Sequence, residues 1–429
     1  MPRLRAAVLM AVVLLAPFAF AQKRRAATPP VLDAHSVAGW LDLNAKRLVA
    51  VEPYPFTYDL ESFGRLTGEA TMVALGDDTH GTHEFFTVKH RLIDYLVRDK
   101  GFDVVAFEAP FAIFNRLNAW VQGGAGDPQV ILGEADRLGY YFWYTEEILD
   151  LARSMREYNL HRGSKPAIEI AGFDVFGYLD EAQEVIEYLR AVDPAAAVQA
   201  ETTYACLTVS ASTTCEADVK RFHEQLAARR DELVPLSSVR AYADALQSAR
   251  IVTQRYNGFA GEGRDTSMAE NALWLQQNRG TSHKIVLWAH QEHLGETKTK
   301  AAPKPMGKQL TAALGDANYF VVGTLAGGGT FLQWTYPPNE PAGHLGTGTF
   351  RDAPAESYEA RFAEAGAPAL LIPLEGTLPA WLTEALSFRW AGSAPVDNKP
   401  DLVQKESLPA KFDAIIYVAV TTPARSLPH

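Results

Sequence analysis

From residue 72 onward the chain alternates between two kinds of segment. Short runs dominated by Val, Ile, Ala and Leu recur at residues 71–75, 102–107, 167–171, 284–289, 319–322, 368–372 and 413–420. They are apolar along their whole length and not at every second position, which predicts strands buried on both faces, the habit of parallel sheets. Longer stretches with helical spacing of apolar positions lie between them, among them 84–98, 146–158, 180–191 and 266–277. A parallel connection needs a crossover of about a dozen residues or more, and these stretches supply it. The expected fold class is α/β, a mostly parallel central sheet flanked by helices.

Two regions break the alternation. Residues from about 195 to 255 are rich in Ala, Glu, Arg and Gln and hold no strand-like run. They predict a helical insertion or subdomain between the third and fourth strands. Residues 343–366 are rich in Gly, Ala and Glu and read as loop with one short helix. No repeat of fixed period is present.

The N-terminus reads as a processing signal. Arg3 and Arg5 precede an apolar stretch over 6–16 and the small-residue pattern Ala19-Phe20-Ala21. This predicts a signal peptide over 1–21, too short for a membrane span. A flexible leader over 22–32 and a catalytic domain over 33–429 would follow, exported to the periplasm or secreted. No later stretch of about 20 apolar residues predicts a membrane span. A monomer is expected.

Composition narrows the partners. The chain is 47% hydrophobic and 21% charged, a globular balance. Its net charge of −11 argues against nucleic acid and anionic membrane surfaces, which require basic patches. The two cysteines, Cys206 and Cys215, are expected to form a disulfide closing a short loop in an oxidising compartment. No nearby His or Asn pattern supports a catalytic cysteine.

The candidate chemistry follows the strands. After the first comes Gly76-Asp77-Asp78-Thr79-His80-Gly81-Thr82-His83-Glu84, after the second Glu108, after the third Gly172-Phe173-Asp174, and after the fourth His290-Gln291-Glu292-His293. Ligands of open parallel sheets bind beyond the carboxyl ends of the strands, so these groups are expected to meet in one crevice. Structural roles compete at several positions. Asp77 and Thr79 could cap the next helix. His83 reads as a surface helix residue, and Asp174 suits either an ion pair or substrate binding. Glu108 at a buried strand end needs a partner, with His80 and Arg264 as candidates. The Gly-x-Ser-x-Gly elbow, the phosphate-binding loops and the His-Glu-x-x-His helix are absent. Histidine and carboxylate remain as working groups, and together they can activate a water for attack without a covalent intermediate.

These motifs also carry a family likeness. The stretch from Gly76 to Phe86 resembles the Gly-Glu-x-x-His-Gly-x-x-Glu-Phe signature of the erythromycin esterases. Gly101-Phe102, Phe107-Glu108-Ala109, Gly172-Phe173-Asp174, Arg264-Asp265-x-x-Met268-Ala269-x-Asn271, Trp288-Ala289-His290-x-x-His293 and Met306-Gly307 continue the resemblance in order, from about Thr67 to Leu427. It implies hydrolysis of a macrolide lactone or related ester without a serine nucleophile, and hence a part in antibiotic resistance. It further implies that His80 is the general base, that Glu108 and His290 complete the catalytic set, and that Asp77, Arg264, His293 and Asp174 orient groups or bind substrate. Asp77 stands where the family has Glu, and Gln291 where it has Asn. The expected partner is a small-molecule ester or lactone, with no cofactor. Two alternatives stand beside this reading. One is a metal-dependent hydrolase, since His80, Glu108, His290 and His293 are acceptable ligand types. The other is a ligand-binding protein without turnover.

Overall fold

The computed structural model of the chain describes residues 35–208, 213–296, 304–336, 343–390 and 403–428. The expected signal peptide and leader lie outside the described residues. Twelve strands are present among them: β1 (Lys46–Arg47), β2 (Met72–Asp77), β3 (Val104–Pro110), β4 (Glu169–Asp174), β5 (Ile285–His290), β6 (Tyr319–Ala326), β7 (Thr330–Thr335), β8 (His344–Thr349), β9 (Ala369–Pro373), β10 (Leu386–Arg389), β11 (Val403–Glu406) and β12 (Ala414–Val418). Eight of these form the central sheet, in the order β1-β9-β12-β6-β2-β5-β3-β4. From β12 to β4 every neighbouring pair is parallel. β9 and β1 close the other edge antiparallel. The mostly parallel α/β sheet expected from the apolar runs is therefore the observed one.

Alternation along each strand divides the core. Val73, Leu75, Val105, Phe107, Val286 and Trp288 pack into one face. Met72, Ala74, Val104, Ala106, Ile285 and Leu287 pack into the other. Helices cover both faces, which is why the strands carry apolar residues at consecutive positions. β2 and β5 lie side by side at the middle of the sheet, with Asp77 in register with His290. The loops leaving these two strands therefore start as neighbours.

The helical insertion has a core of its own. Helices Tyr178–Val192, Pro194–Tyr204, Thr213–Ala228 and Val239–Gln254 enclose Val185, Leu189, Val219, Phe222 and Val252. It therefore begins with the helix after β4, ahead of the boundary expected near 195. The Cys206–Cys215 disulfide is formed, with Cα atoms 5.8 Å apart.

Residues 343–366 depart from the expectation of a loop. β8 pairs antiparallel with β7 before the helix Tyr358–Ala363. Its sequence, His-Leu-Gly-Thr-Gly-Thr, lies mostly at the surface and lacks an apolar run, so periodicity could not report it. Among the described residues no helix is long and apolar enough to cross a membrane.

Candidate active site

Four strands end at one edge of the sheet, and the groups they carry converge there. Asp77 closes β2, Glu108 lies in β3, Asp174 closes β4 and His290 closes β5. Helix Gly261–Asn278 brings Arg264 and Asp265 across these ends. The chain leaves β2 in a tight loop that places His80. Gly81 in that loop has no room for a side chain, because a Cβ would lie 1.8 Å from the Leu332 carbonyl oxygen.

Arg264 is the hub of the buried charges. Its Nη2 donates to Glu108 Oε1 at 2.6 Å and to Asp174 Oδ2, and its Nε donates to Asp174 Oδ1 at 3.0 Å. Glu108 Oε2 accepts the His290 backbone N–H at 2.9 Å. Burial alone would raise the Glu108 carboxyl. His293 and Arg264, with the His290 amide, outweigh burial and hold it well below the usual carboxylate range. Glu108 is thus a fixed anion, and Arg264 is the principal partner its position requires.

The four histidines differ in their bonding. His293 Nδ1 is 2.6 Å from Asp265 Oδ1, and its Nε2 accepts from Arg264 Nη1 at 2.9 Å. Burial opposes its protonation, but Glu108 and Asp265 prevail and raise its pKa. The Arg264 contact belongs to the neutral form, with Nδ1–H donating to Asp265; in the protonated form Nε2–H has Glu108 Oε1 3.5 Å away. His290 Nε2 donates to the Asp78 carbonyl at 3.3 Å, and its Nδ1 accepts from the Glu292 amide at 3.4 Å. Burial, reinforced by His80 and His293, pushes its pKa well below the usual value, so it is neutral. His83, expected at the surface, is buried instead. Its Nδ1 lies 2.6 Å from Glu147 and its Nε2 2.7 Å from Glu52. It opens helix His83–Lys100 facing inward, where the C-terminal segment covers it, and helical spacing alone could not foresee that cover.

His80 is different from the other three. Its Nδ1 is enclosed and makes no hydrogen bond, with Asp77 Oδ2 3.7 Å away. The ring stacks on Phe142 with centroids 4.3 Å apart, and the His290 ring lies 5.2 Å off. His80, Glu108 and Arg264 line a cavity of about 290 Å³ with Leu138, Tyr140, Phe142 and Phe176. Tyr140 donates to Asp174 at 2.6 Å. The Arg264 guanidinium lies 4.9 Å from the Phe176 ring.

The structure therefore brings all seven expected residues together but ranks them. His80, Glu108 and Arg264 reach the cavity. Asp77, Asp174, His290 and His293 stand behind it as supports. Asp77 makes no helix cap: it accepts from Trp288 Nε1 at 2.8 Å and from Lys89. Gln291 turns away from the site, and its Oε1 accepts the Thr324 amide at 3.1 Å. The aromatic wall of Tyr140, Phe142 and Phe176 went unread in the sequence, although the cluster Tyr140-Tyr141-Phe142-Trp143-Tyr144 was a compositional signal. Among the described residues no group of three or more His, Cys, Asp or Glu side chains is arranged to hold a metal ion.

The erythromycin esterase profile matches residues 97–421. The chain belongs to that family. The matched span holds Glu108, Asp174, Arg264, His290 and His293, while the His80 loop lies ahead of it. Erythromycin esterase type II of Escherichia coli is 26% identical over 300 residues, which cover 60% of this chain and 70% of that protein. A solved structure from Bacillus cereus superposes with a TM-score of 0.78 at 25% identity, over 91% of this chain and 98% of its own. The erythromycin esterase EreC, solved as a mutant in its open conformation, superposes with a TM-score of 0.68 at 17% identity, over 90% of this chain and 99% of its own. These likenesses share the fold, and family membership indicates a hydrolase.

Proposed function

We propose that the protein hydrolyses a carboxylic ester or lactone with a water activated by His80. The observation that carries this reading is the bonding of the histidines. Among the four at these strand ends, His80 has an enclosed nitrogen without a hydrogen bond and a place on the cavity wall, whereas the other three are committed on both nitrogens. With Nδ1 enclosed, Nε2 is the nitrogen left to take a proton from water. The hydroxide adds to the carbonyl carbon, Arg264 offers positive charge to the developing oxyanion, and Glu108 stabilises the imidazolium. The proton then passes from His80 to the departing alkoxide, giving acid and alcohol. Tyr140, Phe142, Phe176 and Leu138 provide an apolar wall for the substrate.

Two features support an exported enzyme: the basic–apolar–small pattern over 1–21 and the Cys206–Cys215 disulfide. Macrolide lactones are the first substrates to try, given the name of the Escherichia coli relative. The test is hydrolysis of a panel of macrolides and aryl esters by wild type and His80→Ala. The substitution is expected to lower kcat/KM by about 10²–10⁴-fold with the thermal midpoint little changed, because His80 lies on a loop outside the strand core. A chelator is expected to leave wild-type turnover intact. Near-normal turnover by His80→Ala would remove His80 as the base.

A further inference from the structure

Helix His83–Lys100 packs an apolar face on the sheet through Phe85, Phe86, Val88, Leu92 and Ile93, and Lys89 interrupts that face at 1% exposure. A buried ammonium is costly unless paired, and a plain hydrocarbon would pack in its place. Its partner is Asp77, which is completely buried. One Asp77 oxygen accepts from Lys89 Nζ and the other from Trp288 Nε1 at 2.8 Å, while the Trp288 ring lies 4.8 Å from the ammonium. Three elements, the helix, β2 and β5, thus lock one carboxylate. The oxygen shared with Trp288 is the one 3.7 Å from His80 Nδ1. That is beyond hydrogen-bond reach but well within electrostatic reach.

We propose that Lys89 is a positioning residue for His80: it cancels the charge of Asp77 and fixes that carboxylate 3.7 Å from His80 Nδ1, which leaves the imidazole free to accept a proton. The inference rests on His80 being the general base. A lone carboxylate at this distance would draw a proton onto the Asp77–His80 pair near neutral pH, whichever of the two carried it, and the base would be spent. The Lys89 cation prevents this. Burial draws the ammonium down to about 8 against the pull of Asp77, so it keeps its charge at neutral pH. The other charged and titratable groups around His80 are Glu108, whose charge interacts with it, Arg264 on the same cavity wall, His290 and the buried neighbour Asp78. All of them remain in place when Lys89 is changed.

The test uses the full chain as Lys89→Met and as the double variant Asp77→Asn/Lys89→Met. Two readouts are followed: the pH profile of kcat/KM on 4-nitrophenyl acetate, and the NMR titration of His80 in histidine-labelled protein, assigned by loss of its signal in His80→Gln. In Lys89→Met the acid limb and the His80 titration are both expected to move up by roughly one pH unit, which lowers the rate about tenfold below the limb. In the double variant both charges are gone, and His80 is expected to titrate near its wild-type position. A slower Lys89→Met enzyme with limb and titration unmoved would overturn the proposal in favour of a packing role. If Lys89→Met does not fold, the double variant decides alone: an unchanged His80 titration supports cancellation, and a displaced one overturns it. If His80 titrates as expected but His80→Gln keeps full turnover, the coupling holds and the general-base reading is what falls.

Discussion

The sheet and the helical subdomain handle charge in opposite ways. At the strand ends Glu108, Asp174 and Arg264 are buried together, and Lys89 is buried with Asp77. The subdomain's own core is aliphatic and aromatic, and ion pairs such as Arg190–Glu201, Lys220–Glu216 and Arg221–Asp218 lie at its surface, while its buried Glu181 and its Asp244 turn out of that core to the Ala112 amide and to Arg279. Surface pairs contribute little to stability, whereas removing one member of a buried set leaves an uncompensated charge. The first region is therefore fragile toward single substitutions and fixed in geometry, which suits a site. The second tolerates change and lines no part of the cavity.

Arg264→Met should break this contrast most severely. It strands Glu108 and Asp174 without their cation, and a loss of about 3–5 kcal/mol in unfolding free energy is expected, together with loss of turnover. Chemical denaturation checks it, and a stability near wild type would mean that the strand-end charges do not form one unit. The next effect belongs to the subdomain. Cys206→Ala/Cys215→Ala opens a short loop and is expected to remove roughly 2–3 kcal/mol by the loop-entropy argument. Turnover at 25 °C should persist, because the disulfide staples a subdomain that contributes no cavity residue. Parallel loss of activity would show the subdomain and the site to be coupled.

The smallest effect concerns His83. Its hydrogen bond to Glu147, opposed by burial and aided by Glu52, raises its pKa. The charged form is thus favoured in the folded state. Its contribution, about 1 kcal/mol, is fully present below the unfolded pKa near 6.5 and is lost as pH rises through the folded value. As pH rises above about 6.5, wild type should lose thermal stability more steeply than His83→Gln. Equal slopes would assign the clamp no electrostatic part.

What was legible in the chain follows from what each signal measures. Continuous apolar runs reported the parallel strands because those strands are buried on both faces. They missed β8, which has one buried residue and no apolar run, and gave no sign that β9 turns antiparallel. Placing charged groups after strands found the convergent residues, since topology alone brings strand ends together. It could not rank them. Whether His80 or His290 keeps an uncommitted nitrogen depends on the Asp78 carbonyl and the Glu292 amide, and backbone groups leave no trace in residue identity. Helical spacing over 84–98 gave no sign that Lys89 is buried, because its burial is set by Asp77 and Trp288 on two strands of the sheet.

The Gly81 backbone has a further consequence. Its carbonyl accepts from both Leu332 and Ala424, and the neighbouring Glu84 side chain binds Thr422, 338 positions later. The partners that fix the His80 loop lie far along the chain, so the loop takes its final geometry only once the sheet and the 421–424 segment have closed around it.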